Sequence, residues 1–114
     1  DATNAFNQTM QVSLVDLDGT QVLYSDVQYY FNSMTGNPGN FNFTNNTDPL
    51  CTTVDATNGL GIGAGQINSS LCTIDTVVDS GKISQYVFSD KINYTPEAHR
   101  RFGDWVYDRM KANW

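Results

Sequence analysis

Lysine and arginine are absent from the first 81 residues of this 114-residue chain, and its one glutamate is Glu97. The front section instead holds Asp1, Asp16, Asp18, Asp26, Asp48, Asp55, Asp75 and Asp79. A surface of that sign repels a phosphate backbone, so the sequence argues against nucleic acid as a partner. Charge of either sign is scarce, at 16% of residues, where soluble domains carry about a quarter. Solubility therefore rests on Asn, Thr, Ser and Gln, and on any attached sugar. Histidine occurs once, at His99, and no CxxC or HxxxH spacing exists, which removes the usual ligand sets of a zinc site. No cofactor is implied. No apolar run approaches the roughly 20 residues that cross a bilayer. GxSxG, catalytic cysteine–histidine and metalloprotease motifs are missing too. With no leader ahead of Asp1, the chain reads as the mature form of a secreted protein.

Cysteine is equally sparse, and what there is carries information. Cys51 and Cys72 are spaced for one bridge, worth about 3 kcal/mol in the chain-entropy model. A pair of buried free thiols is the alternative. A bridge needs an oxidising compartment, and so does the most abundant motif here. Five N-x-S/T sequons begin at Asn7, Asn42, Asn45, Asn68 and Asn93, where chance predicts about two. Used acceptors would lie on the surface of a secreted, extracellular glycoprotein. Asn42 and Asn45 in a polar stretch, and Asn68 between the cysteines, read as the better carriers. Asn93 is the weakest, because Thr95 and Pro96 follow it at a helix start.

The length fits one domain, residues 1–114, with one hydrophobic core. Met10-Gln11-Val12-Ser13-Leu14-Val15 alternates, Asp18-Gly19 offers a two-residue turn, and Gln21-Val22-Leu23-Tyr24 continues the pattern. This predicts a hairpin whose second strand runs towards Tyr29-Tyr30-Phe31. Residues 32–50 are rich in Asn, Gly, Pro and Thr and read as a long loop. Gly59 to Gly65 places glycine at every second position, which fits either a strand with one bare face or a loop. Ile74 to Val78 and Ile83 to Phe88, around Ser80-Gly81, predict a second hairpin. The last element is a helix with Thr95 as N-cap, Pro96 at its first position and Glu97 in its first turn. Its apolar stripe is Ala98, Phe102, Trp105, Val106 and Met110. Glu97–Arg101, Arg100–Asp104 and Asp108–Lys111 can pair along its exposed side, which accounts for most of the basic C-terminus. The expected fold is α+β: an antiparallel β-sheet built from hairpins, with one C-terminal amphipathic α-helix packed on it.

Several strings could carry chemistry. Leu14-Val15-Asp16-Leu17-Asp18-Gly19-Thr20 resembles the first motif of the haloacid dehalogenase superfamily of phosphatases. That resemblance implies Asp16 as nucleophile and Asp18 as acid/base beside Mg²⁺. The family's acidic GDxxxD motif follows a buried strand, whereas Gly103 to Asp108 lies within the predicted helix, and the family's parallel sheet does not fit hairpins. Asp-Gly in a hairpin turn is the plainer reading. An EF-hand is excluded, since Gln21 and Val27 stand where its glycine and glutamate belong. Glu97 and His99 could form an acid/base pair, although positions two apart on a helix point to different sides. Phe41, Phe43, Tyr29 and Tyr30 are candidate ligand contacts, with core packing as the alternative.

These features favour a small secreted glycoprotein that acts as a non-enzymatic binding module for a protein or glycan partner. By composition alone it resembles the small secreted proteins of fungi, including effectors and toxins. One alternative is a small secreted hydrolase using Asp16/Asp18 or Glu97/His99. The other is a subunit of a larger secreted assembly.

Overall fold

A computed structural model describes residues 1–17, 22–57, 59 and 61–114. Helix α1 (Ala2–Leu14) opens the chain because the Asp1 carboxylate, 2.8 Å from the Asn4 amide, caps it. A segment without regular secondary structure from Val22 leads into helix α2 (Val27–Gly36), capped in the same way by Asp26 on the Tyr29 amide. A tight helical turn over Pro38–Phe41 ends at Asn42, whose left-handed φ of 59° releases the chain into strand β1 (Asn45–Pro49).

β1 pairs in parallel with β4 (Tyr86–Phe88), Asn45 opposite Tyr86 and Pro49 opposite Phe88, with a register shift between. Parallel strands need a long crossover, and residues 50–85 supply it with no α-helix among the described residues. This crossover contains the antiparallel pair β2 (Val54–Asp55) and β3 (Gln66–Ile67) and three short 3₁₀ segments, Ser69–Leu71, Ile74–Thr76 and Ser80–Gln85. The Cys51–Cys72 disulfide closes its first part, with Cα atoms 5.7 Å apart. The chain ends in helix α3 (Pro96–Asn113).

The core lies between α2, β4 and the first turns of α3. Tyr30, Phe31, Met34, Phe43, Val87 and Ala98 are buried together, with Phe41, Phe88, Tyr94, Phe102 and Trp105 packed around them. Tyr30 meets Phe41 and Phe102 edge-on, at centroid distances of 5.4 and 5.5 Å. Thr95 is the joint of this core. Its hydroxyl donates to the Tyr86 carbonyl and accepts from the Ala98 amide, and its own amide donates to Val87. One fully buried residue therefore ends β4's hydrogen bonding and starts α3.

Mixed helix and strand with a C-terminal helix agrees with the expected α+β class; the antiparallel hairpin sheet is matched only in part, since both sheets are two-stranded and one pair is parallel. Met10–Leu14 belongs to α1, and Tyr29–Phe31 to α2. The first hairpin's turn at Asp18-Gly19 lies outside the described residues. The second hairpin is replaced by 3₁₀ segments, and of its expected residues only Tyr86–Phe88 form a strand. The reason is local: Thr73 and Thr76 cap each other, and the Asp79 carboxylate takes the Gly81 amide. Side chains that bond nearby backbone groups displace ladder pairing. The expected loop over residues 32–50 is instead the end of α2, a turn and β1.

Among the described residues of this stretch, Gly59 and 61–65, none is in a strand or helix, so it is a loop. Gly61, Gly63 and Gly65 have φ of 76°, 91° and 73°, and a Cβ on each would meet open space. Left-handed backbone therefore explains glycine there, rather than a bare face for a neighbour.

Candidate interaction surface

Two buried carboxylates, Asp55 in the crossover and Asp90 just after β4, each sit in a closed hydrogen-bond network. Asp55 accepts from the Thr57 amide and hydroxyl at 2.8 and 2.6 Å, and from Asn68 Nδ2 at 2.8 Å. These bonds hold its carboxyl below the ordinary range. Gly59 closes against the pair, since a Cβ there would lie 2.7 Å from both Asn68 Nδ2 and Asp55 Oδ2. Asp90, 1% exposed, accepts from the amides of Ser69, Ile92 and Asn93 and from the Asn93 side chain. Burial alone would raise its pKa, but those donors outweigh it and hold the carboxyl far below the usual carboxylate range. A cleft of about 330 Å³ borders it, lined by Pro49, Ile67, Phe88 and Lys91 among others. Both Asp90 oxygens are already occupied, so the carboxylate serves as a loop anchor and has no free lone pair aimed at a substrate.

The residues singled out for catalysis do not converge. Asp16 is exposed just beyond α1, and Asp18 lies outside the described residues. Glu97 receives two bonds from Arg100, at 2.6 and 2.8 Å, and lies 3.1 Å from Arg101 Nε. His99 is exposed and its ring neighbours Phe31 and Tyr94 at centroid distances of 6.1 and 6.3 Å. Among the described residues, no three His, Cys, Asp or Glu side chains gather as a metal site would require.

The aromatic candidates separate by burial. Phe43 is 2% exposed and Tyr30 7%, and Phe41 is half-buried against Tyr30, so these three serve the core. Their polar sequence neighbours concealed that α2 and β1 fold back on one another. Tyr29 is 67% exposed. It borders a cleft of about 310 Å³ together with Gln11 of α1, Tyr24, Asp26, and Trp105 and Arg109 of α3. Arg109 lies 5.0 Å over the Trp105 ring and donates to the Tyr24 carbonyl at 2.9 Å, while its Nε is buried without an acceptor among the described residues.

α1 continues this surface and was not anticipated. None of its residues is buried. Phe6, Val12 and Val15, just beyond its end, are 68, 72 and 74% exposed, and Leu17 is exposed as well. From Ala2 to Val15 there is no charge at all. The helix meets the rest of the chain through Asn7, whose Nδ2 donates to Gln28 Oε1 at 2.7 Å, and through half-buried Leu14. The sequence signal was an aspartate cap followed by Phe6, Met10 and Leu14 at i, i+4 spacing. An uncharged helix with apolar side chains on more than one face is normally a covered helix, and here it is open.

Comparison with protein-family models, curated proteins and solved structures finds no match to this chain.

Proposed function

We propose that this chain is a secreted, glycosylated interaction module that works by binding another protein. Its binding surface is α1 with Val15 and the adjoining cleft at Tyr29, Trp105 and Arg109. The observation carrying this reading is the exposed, uncharged α1, whose large apolar side chains contribute little to the core. The centre of a protein interface is depleted of charge and rich in aromatic residues and arginine, which matches this set. The disulfide suits an oxidising compartment, and no helix among the described residues is long and apolar enough to cross a membrane. The test is photo-crosslinking from residue 12 of the secreted protein in its own medium. A discrete adduct of defined mass is the expected result. No adduct, or the same adducts from a crosslinker placed at Lys91, would count against the reading.

A second reading, the assembly subunit, is favoured by surface area. A compact monomer of this mass exposes about 6,200 Å², whereas the chain exposes 7466 Å². The excess of about 1,200 Å² exceeds the roughly 800 Å² that one partner contributes to a standard interface. A mass that doubles with concentration in sedimentation selects this reading, and a constant monomer mass selects a different protein as partner.

A further inference from the structure

We propose that Asn42 carries the N-linked sugar of this chain, and that Asn68 and Asn93 stay bare despite their intact sequons. This rests on the secreted-glycoprotein reading above and sharpens it to a site. Whichever asparagine is modified before folding, only a glycoform whose sugar reaches solvent can complete the fold. The five acceptors differ sharply by that criterion.

Asn68 is 8% exposed. Its Nδ2, the atom that would bear the sugar, donates to Asp55 at 2.8 Å, and its Oδ1 accepts from the amide and hydroxyl of Ser70. Gly59 packs against the same nitrogen so closely that even a methyl group would lie 2.7 Å away. A sugar there has no exit. Asn93 is exposed, yet its Nδ2 is shared between both oxygens of Asp90 at 3.1 and 2.9 Å. The hydroxyl of its sequon, on Thr95, is fully buried and already binds the Tyr86 carbonyl and the Ala98 amide. Asn45 folds into its own turn, with Oδ1 accepting from the Thr47 and Asp48 amides and Nδ2 donating to Asp48. Asn7 is half-buried and bonded to Gln28.

Asn42 alone among the five has an exposed side chain with no hydrogen-bond partner among the described residues. Its left-handed backbone, φ 59° and ψ 28°, ends the Pro38–Phe41 turn. The next residue, Phe43, anchors the chain in the core. Thr44, the sequon's hydroxyl residue, is exposed at the entrance to β1, where its hydroxyl makes one surface bond, to Gln85 Oε1 at 3.1 Å, in place of the buried pair that holds Thr95. Asparagine is also among the few residues that tolerate that φ, so the fold and the sequon ask for the same side chain.

The experiment is site mapping on protein recovered from the medium of a secreting eukaryotic cell. Peptide N-glycosidase in ¹⁸O-water converts each occupied asparagine into a labelled aspartate, which fragmentation mass spectrometry locates. The expected result is label at Asn42 and none at Asn68 or Asn93. Label at Asn68 or Asn93, or an unlabelled Asn42 beside another labelled sequon, overturns the assignment while leaving the glycoprotein reading intact. No label at any position overturns both. Asn42→Asp keeps a side chain suited to left-handed backbone; it should lose one sugar mass and keep its unfolding midpoint. Unchanged glycan mass in that variant would also overturn the proposal.

Discussion

At the scale of single residues, buried polar side chains tie the crossover together and join it to the segment after β4. Asp90 makes the clearest case. Its folded pKa lies below the unfolded value of about 3.9, so its ionised form stabilises the fold above roughly pH 4. That contribution is lost as pH falls through the unfolded value towards the folded one. Asp90→Asn offers one accepting oxygen and turns an NH₂ towards backbone donors. It should cost about 2 kcal/mol or more at pH 7 and flatten the decline of stability between about pH 5 and 2. Urea unfolding across that range is the measurement; an unchanged slope would show that Asp90 is not the acid-sensitive anchor. The glycines offer a paired comparison. Gly65→Ala should cost about 1 kcal/mol, from left-handed backbone alone. Gly59→Ala should cost more, because its methyl group collides with the Asp55–Asn68 pair; equal unfolding midpoints would contradict this. None of this was legible in the sequence, where Asp55, Asn68 and Asp90 look like ordinary surface residues. The sequon at Asn68 even suggested exposure for a residue that is buried, because a motif of three residues says nothing about which partners the fold brings to it.

At the scale of elements, caps were the reliable signal and alternation was not. Thr95, Pro96 and Glu97 announced α3 correctly, and the helix forms with the expected Glu97–Arg101 and Arg100–Asp104 pairs. Thr95→Ala removes both the cap and the bond to β4, so thermal unfolding should show a loss of about 2 kcal/mol. A loss confined to a few tenths would mean that the joint between β4 and α3 lies elsewhere. The same cap logic applied to Asp1 and Asp26 would have found α1 and α2. Short apolar runs such as Met10–Val15 satisfy both strand and helix periods, and there the apparent alternation prevailed over the aspartate ahead of it. The candidate surface was correspondingly half visible. Tyr29 was one of four aromatic contact candidates and the one that is exposed, whereas Phe6 and Val12 acquire their meaning only once α1 is a helix.

At the scale of the whole molecule, the chain is extended for its length. Its radius of gyration is 16.9 Å, against about 13 Å for a compact domain of this size, and its extents are 49 × 30 × 22 Å. One disulfide constrains a crossover with little regular structure. Reduction should cost about 3 kcal/mol and loosen residues 50–78 first; uniform amide exchange before and after reduction would argue otherwise. The apolar surface of α1 adds little to this stability and, on the proposed function, exists for a partner. Replacing Phe6, Val12 and Val15 together with serine separates the two roles most directly. The unfolding midpoint should stay within about 0.5 kcal/mol of the parent, as for other surface changes, while the adduct formed by photo-crosslinking from exposed α1 residue Gln8 disappears. A loss of several kcal/mol, comparable to truncating a core residue such as Phe43, would show instead that these side chains belong to the fold and leave α1 without a partner to bind.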